Sequence, residues 1–249
     1  RVDESNRQAK ICVVSNNNEN TSKGNLLPAM TPNLIHANAV VAAHQFNPSV
    51  VSQLWLADNG IVLREEFEAG KGSVFSDMMV NVASEKLTML VTPDQVQFSP
   101  TQPPPNEDEI VANRLGLLVH TLPHTPFTAC GLNFAWLLDD QDLVEVGKRL
   151  FFVPDSPVHR AFDVENSRFG GYLSRPAFGG RLKLDIKPLT LRTPNGESEE
   201  RLQFAFNFHV DVPQASSGAG TVVAHLANWN HAFEMTREIM QVLESEFVK

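Results

Sequence analysis

The sequence predicts an α+β fold. Two β-α-β-β-β-α units join their strands in one curved antiparallel sheet, and all helices lie on one face of it. Three observations carry this. The order strand, helix, three strands, helix is met twice along the 249 residues. Leu202, Phe204, Phe206, Phe208, Val210 and Val212 alternate with polar or small residues, the period of a strand with one buried face. Val222, Leu226, Trp229, Phe233, Thr236, Met240, Leu243 and Phe247 recur at spacings of four and three, so a helix over 221–247 carries a stripe that covers a sheet.

Residues 1–33 read as a largely flexible extension, because SNNNENTSKGN is polar and turn-prone. The first repeat is placed at 34–126 and the second at 127–249, sharing one core. HANAVVAAHQ from His36 is a strand, and Asn47-Pro48-Ser49 opens a helix with Val50, Leu54, Ala57 and Ile61 on one stripe. Strands are expected at 74–83, 86–92 and 95–99, joined by short Ser-Glu and Pro-Asp turns. After TQPPP, Asn106 caps a helix bearing Val111, Leu115, Leu118 and Leu122, which ends at Pro123 because the residue before proline leaves helical geometry. Phe127–Leu138 is a strand and Asp139–Phe152 a helix. Residues 170–180 form an irregular Gly-rich strand or loop. The segments 181–192 and 201–212 are a hairpin across PNGES, where Asn195-Gly196 signals the turn.

Composition narrows function. A net charge of −9 repels phosphates, so generic nucleic-acid binding would need a local basic stripe. Cys12 and Cys130 are too few and too far apart for a disulfide framework or zinc ribbon, which makes a cytoplasmic setting the default. No segment reaches the roughly 18 apolar residues that span a bilayer, and RVDESNRQAK lacks a hydrophobic signal core. The sequence does not open on Met, which leaves room for residues before Arg1.

Chemistry-bearing motifs are sparse. His120 and His124 are separated by Pro123, His36 and His44 sit ~27 Å apart along a strand, and His225 and His231 point to different sides of a helix. No metal or other cofactor is implied. Nucleophile elbow, Walker and dinucleotide fingerprints are missing, and no catalytic residue is assigned. SSGAGT at 216–221 reads as a linker, and Asp139, Asp140 and Asp142 as macrodipole complements of a first helical turn. FGGYLSRPAFGG at 169–180, with Arg168, Arg175 and Arg181, can bring backbone and guanidinium groups to an acidic ligand; a distorted edge strand is the plainer reading.

The open sheet face offers the better site. The large residues of the strand from Phe127 lie on one side and leave Ala129, Gly131, Asn133 and Ala135 on the other. With Asn207, His209, His44 and Asn81 these give a shallow polar floor for a peptide, a partner subunit or a polar ligand, and a solvated sheet face is the equal alternative. Asn47, Pro48, Pro123, His124, Pro126 and Gly131 are read as structural, with His124 at the joint between the two units.

Two stretches carry a resemblance. HQFNPSVVSQLW (44–55) and LPHTPFTACGLNF (122–134) resemble an uncharacterised bacterial family with F-N-P-S before a helix and L-P-H-T-P before a strand containing G-x-N. The match falls on Phe46, Asn47, Pro48 and Ser49, then on Leu122, Pro123, His124, Thr125, Pro126, Gly131 and Asn133, within residues 38–138. It implies the same fold and a bacterial or phage origin, and nothing catalytic. The element order resembles the saddle of the TATA-box-binding protein in topology alone. The Gly-rich segment is similar to those of RNA-processing proteins of CRISPR systems.

The sequence therefore suggests a non-enzymatic interaction or sensing subunit of a bacterial multi-protein system, with a protein partner or homodimer. A small-molecule or lipid-binding protein, with a cavity between the sheet and the last helix, is one alternative. An RNA-processing or hydrolytic enzyme is the other.

Overall fold

The computed structural model describes residues 31–69, 72–102, 104, 110–139, 143–192, 196, 198–213 and 218–247. The fold is α+β, with one nine-stranded antiparallel sheet and helices packed against it. Its centre is the pair β1 (Thr31–Ala43) and β6 (Phe127–Asp139), antiparallel from Thr31 opposite Asp139 to Ala43 opposite Phe127, with register shifts between Leu34 and His36 and between Ala42 and Ala43. On the β1 side follow β5 (Gln95–Pro100), β4 (Leu87–Val91), β3 (Val80–Ala83) and the two-residue β2 (Val74–Phe75). On the β6 side follow β9 (Ser198–Asp211), β8 (Gly180–Arg192) and β7 (Gly171–Ala177).

Alternation decides which face is buried. Cys130, Leu132, Phe134, Trp136 and Leu138 of β6 stand beside Leu202 through Val210 of β9, with Leu182, Leu184 and Ile186 of β8 beyond them. Ala39 and Val41, Val96 and Phe98, Leu87, Met89 and Val91, and Val80 and Val82 extend the same apolar face to the other edge. All join one core cluster. Burying such side chains removes apolar area from water at roughly 25 cal/mol per Å².

The last helical segment differs from the expected single rod. α6 (Ala219–Leu226) and α7 (Trp229–Phe247) are separated at Ala227-Asn228, where Asn228 Nδ2 donates to Ala224 O at 2.9 Å in place of a continuing backbone ladder. The stripe still packs as expected: Val222, Leu226, Trp229, Phe233, Thr236 and Met240 are buried. Phe134 and Trp229 rings approach to 4.7 Å, Trp136 stacks on Phe233 at 5.9 Å, and Trp136 Nε1 donates to Thr236 Oγ1 at 3.1 Å. Aromatic rings thus pack between the sheet and α7 around Phe134 and Trp136.

Other boundaries also move. A 3-10 turn, Pro48–Val50, capped by Asn47, precedes α1 (Gln53–Asp58), which Ser52 caps through the Trp55 N–H. Of the expected stripe Val50 and Leu54 are exposed and Ala57 is half-buried, while Ile61 is buried as expected and Leu56, outside the stripe, is buried with it. α2 (Arg64–Ala69) and α5 (Pro157–Ala161) are short helices without a strong apolar period. A π-helical stretch, Ile110–Leu115, runs into α3 (Gly116–Thr121), which ends before Pro123. Asn106 lies outside the described residues. α4 covers Leu143–Phe151, and Asp139 is the last residue of β6 instead of a helix start; Asp140 and Asp142 lie outside the described residues.

Residues 171–192 correct the irregular Gly-rich reading most clearly, because β7 and β8 form a regular hairpin. Phe178 and Gly179 have φ of 49° and 75°, the two positive values that a type I′ turn needs. A Cβ on Gly180 would lie 2.0 Å from His209 O, and one on Gly170 2.2 Å from Ile186 O, so backbone approach explains both glycines. Pro176 is tolerated because β7 is an edge strand.

Glu66 and Arg114 tie α2 to the π-helical stretch through a two-pronged pair at 2.7 and 2.9 Å. Burial alone would raise the Glu66 pKa, but hydrogen bonds from Arg114 and the Leu63 N–H, with the Arg114 and Lys86 charges, leave it lowered. Arg114→Met strands that carboxylate and is expected to cost about 3 kcal/mol in urea unfolding; a loss under ~1 kcal/mol would mean that water screens the pair. A second prediction concerns His225, buried with Nε2 3.0 Å from Phe208 O and its pKa lowered mainly by desolvation. The unfolded chain then takes up a proton before the folded one does. Its contribution to stability is full above about pH 6.5 and falls as pH drops below that. His225→Leu should flatten that stretch of the stability–pH curve, and an unchanged slope would exclude His225 as its source.

Candidate functional site on the open sheet face

The face away from the helices carries the side chains that the core register rejects. Because β1, β6 and β9 pair without a shift at this level, Asn38 lies opposite Asn133 and Asn133 opposite Asn207. Asn133 Nδ2 donates to Asn38 Oδ1 at 2.8 Å, and Asn207 Nδ2 donates to Asn133 Oδ1 at 2.5 Å. The amides form a head-to-tail row across three strands. The same register continues the row to Lys183 on β8 and Ser174 on β7.

A parallel row holds His36, Ala135, Ala205, Asp185 and Tyr172. Small side chains in its middle and large ones at its ends leave a shallow groove of about 460 Å³, lined by both rows. Asn38 is only 6% exposed, its Oδ1 is taken by Asn133, and its Nδ2 makes no hydrogen bond to any described residue. A donor therefore stands unpartnered at the base of the groove. His36 forms the lip, where lost hydration lowers its pKa and keeps the imidazole neutral at pH 7. Asp185 lies 3.6 Å from Lys187 Nζ. Lys183 makes no hydrogen bond or ion pair with a described residue and carries the groove's unpaired positive charge.

The structure brings Asn133 and Asn207 together and separates the other candidates. His209 lies one row away, opposite Gly131 and Arg181, with Nε2 3.0 Å from Asp211 Oδ1. Asn81 shares that face but is on β3, four strands from β6 and so ~19 Å away. His44 lies beyond the end of β1, where its N–H donates to Pro126 O at 3.0 Å. Arg175 is on the opposite face, since it pairs with the buried Leu182 and its guanidinium donates to Met235 Sδ. His44 and Asn81 therefore do not share one floor with Asn133 and Asn207, and Arg175, read with the Gly-rich segment, faces the helices.

Gly131 lies beside the amide row. A Cβ there would stand 3.0 Å from Asn207 Nδ2, so the glycine leaves room for the amide as well as continuing the strand. Sequence reading missed Asn38, Tyr172, Lys183 and Asp185. Asn38 carried a usable signal, a polar residue inside HANAVV, but choosing it required the β1–β6 register.

The motifs at 44–55 and 122–134 converge elsewhere. Asn47, Pro48, Pro123, His124 and Pro126 line a second surface cleft of about 580 Å³ with Gln45, Asp77 and Pro93. Thr125 N donates to Leu122 O at 3.0 Å, a turn that leaves His124 exposed. Asn47 Oδ1 accepts from Ser49 N and Oγ, the local work of a cap. Phe46 meets Phe127 edge-to-face at 5.9 Å beneath the cleft.

Among the described residues no group of three or more His, Cys, Asp or Glu side chains is placed to hold a metal ion. Cys130 is buried in the core and its thiol is pushed up to about 12, so it is no thiolate nucleophile at neutral pH. No described helix is long and apolar enough to cross a membrane.

Asn133→Leu breaks the row at its centre and strands Asn38 Oδ1 and Asn207 Nδ2. A loss of about 1–3 kcal/mol is expected from urea unfolding, whereas exposed Asn81→Leu should stay within ~0.5 kcal/mol. Equal effects would show that the amide row is not coupled.

Comparison with known proteins adds no match, whether to a family model, a curated protein or a solved structure.

Proposed function

We propose that this protein is a non-enzymatic binding or sensing module that recognises a polar ligand on the open face of its sheet. The supporting observation is the Asn38–Asn133–Asn207 row with its unpartnered Asn38 Nδ2 at the base of a groove. Amides fixed by one another lose little freedom when a ligand docks, which favours recognition. They supply neither a nucleophile nor a proton relay. The proposed TATA-box-binding-protein-like duplication fits the strand order on either side of the β1–β6 pair, although the first flank has four strands and the second three.

The test compares protein purified from its own host as wild type and as Lys183→Glu, using native mass spectrometry. A stoichiometric small-molecule adduct on wild type that is lost from the variant is the expected result. An adduct kept equally by both would place binding elsewhere.

A second reading, a protein-interaction subunit or homodimer of a bacterial assembly, has its own support. Val153, Val158, Phe162 and Val164 expose 52–69% of their surface within one segment around α5. If that segment is a self-interface, wild type sediments as a dimer and Phe162→Ser as a monomer. A monomeric wild type at all concentrations would remove the homodimer.

A further inference from the structure

Resting on the binding-module reading, we infer that the groove selects a small monocarboxylate whose flat body carries a second hydrogen-bond acceptor, with its carboxylate at Lys183 and that acceptor at Asn38 Nδ2. Two independent observations point to opposite ends of one molecule. Asn38 supplies a donor with no acceptor among the described residues, while its own acceptor is already used. Three strands away in the same row, Lys183 supplies a cation with no partner among the described residues. These backbones are ~14 Å apart, and a lysine side chain reaching back shortens the gap to about the length of a ring joined to a carboxylate through an amide. Ala135 and Ala205 form the floor between them, where a planar group can lie without displacing a side chain. His36 and Tyr172 close the two ends.

Charge selects the anion type. On a chain of net charge −9, the open face of β8 carries Arg181, Lys183 and Lys187 against Asp185, a local excess of positive charge. Asp185 stands two residues from Lys183 on the same face and opposes a dianion. Backbone N–H groups in mid-sheet are used by neighbouring strands, so no nest is available for phosphate. A single cation with nearby amides suits a carboxylate. Extended single-stranded nucleic acid would need a series of stacking aromatics, and among the groove residues the open face carries two rings, Tyr172 and His36, at opposite ends.

The probe is hippurate, which carries a ring, an amide carbonyl and a carboxylate, compared with its neutral carboxamide. Binding is followed by NMR on the whole chain through the side-chain amide signals of Asn38, Asn133 and Asn207. Hippurate is expected to shift these signals and to bind about tenfold more weakly to Lys183→Met, the loss of one charge-assisted contact. Asn38→Asp keeps the acceptor for Asn133 and removes the donor, so the neutral carboxamide should lose its residual binding to that variant. Equal binding of hippurate and carboxamide at the groove would overturn the carboxylate assignment while leaving the binding-module reading intact. Failure of both probes to move the groove signals would overturn the ligand class. A host-derived adduct lost from Lys183→Glu would still uphold the module. Displacement of hippurate by a single-stranded RNA oligonucleotide at comparable affinity would also overturn the small-ligand assignment.

Discussion

The antiparallel register of β1, β6 and β9 is the constraint on which the rest of the structure depends. It aligns Leu132 with Ala39 and Phe208 and Phe134 with Ala37 and Phe206, giving α6 and α7 an apolar surface to cover. The same pairing places Asn38, Asn133 and Asn207 in one row on the other face. A slip of one residue would exchange the faces, burying the amides and exposing the phenylalanines. Core and groove are thus two consequences of one alignment.

Hydrogen bonding gives the open face its character. A row of asparagines that bond one another is held in place without large side chains, and the alanines beside it stay uncovered. Gly131 contributes in the same sense, because a methyl group there would press on Asn207 Nδ2 at 3.0 Å. The groove is therefore shallow and preorganised, with a charged lysine at one side and a neutral imidazole at the other. Such a surface suits orientation of a polar molecule more than chemistry upon it.

The strands were legible because one buried face imposes period two, and β6, β8 and β9 follow the sequence pattern within a few residues. Helices were less so. Asn228 interrupts the final helix through its side chain while the apolar stripe runs on unbroken, so periodicity alone joined two helices into one. Val50 and Leu54 looked like a helical stripe, yet Ser52 restarts the helix and sends them to solvent. Gly170 and Gly180 invited a ligand-loop reading, whereas their cause is close backbone approach in a hairpin. Asn133 and Asn207 could be chosen from alternation. Asn38 could not, since its partner is 95 residues away and a bulge between Leu34 and His36 shifts the phase of β1.

Arg175, His44 and Asn81 show the same limit from the other side. Residue type made them attractive, but strand order put Asn81 near one edge, the end of β1 took His44, and the pleat turned Arg175 toward α7. What a sheet face can bind is set by which residues share a row. The most direct measurement is a high-resolution crystal structure of protein purified from its own host. Non-protein density over Ala135 and Ala205, with an acceptor within ~3.2 Å of Asn38 Nδ2, is the predicted result. Ordered solvent alone at that nitrogen, with a bound molecule elsewhere, would contradict the account.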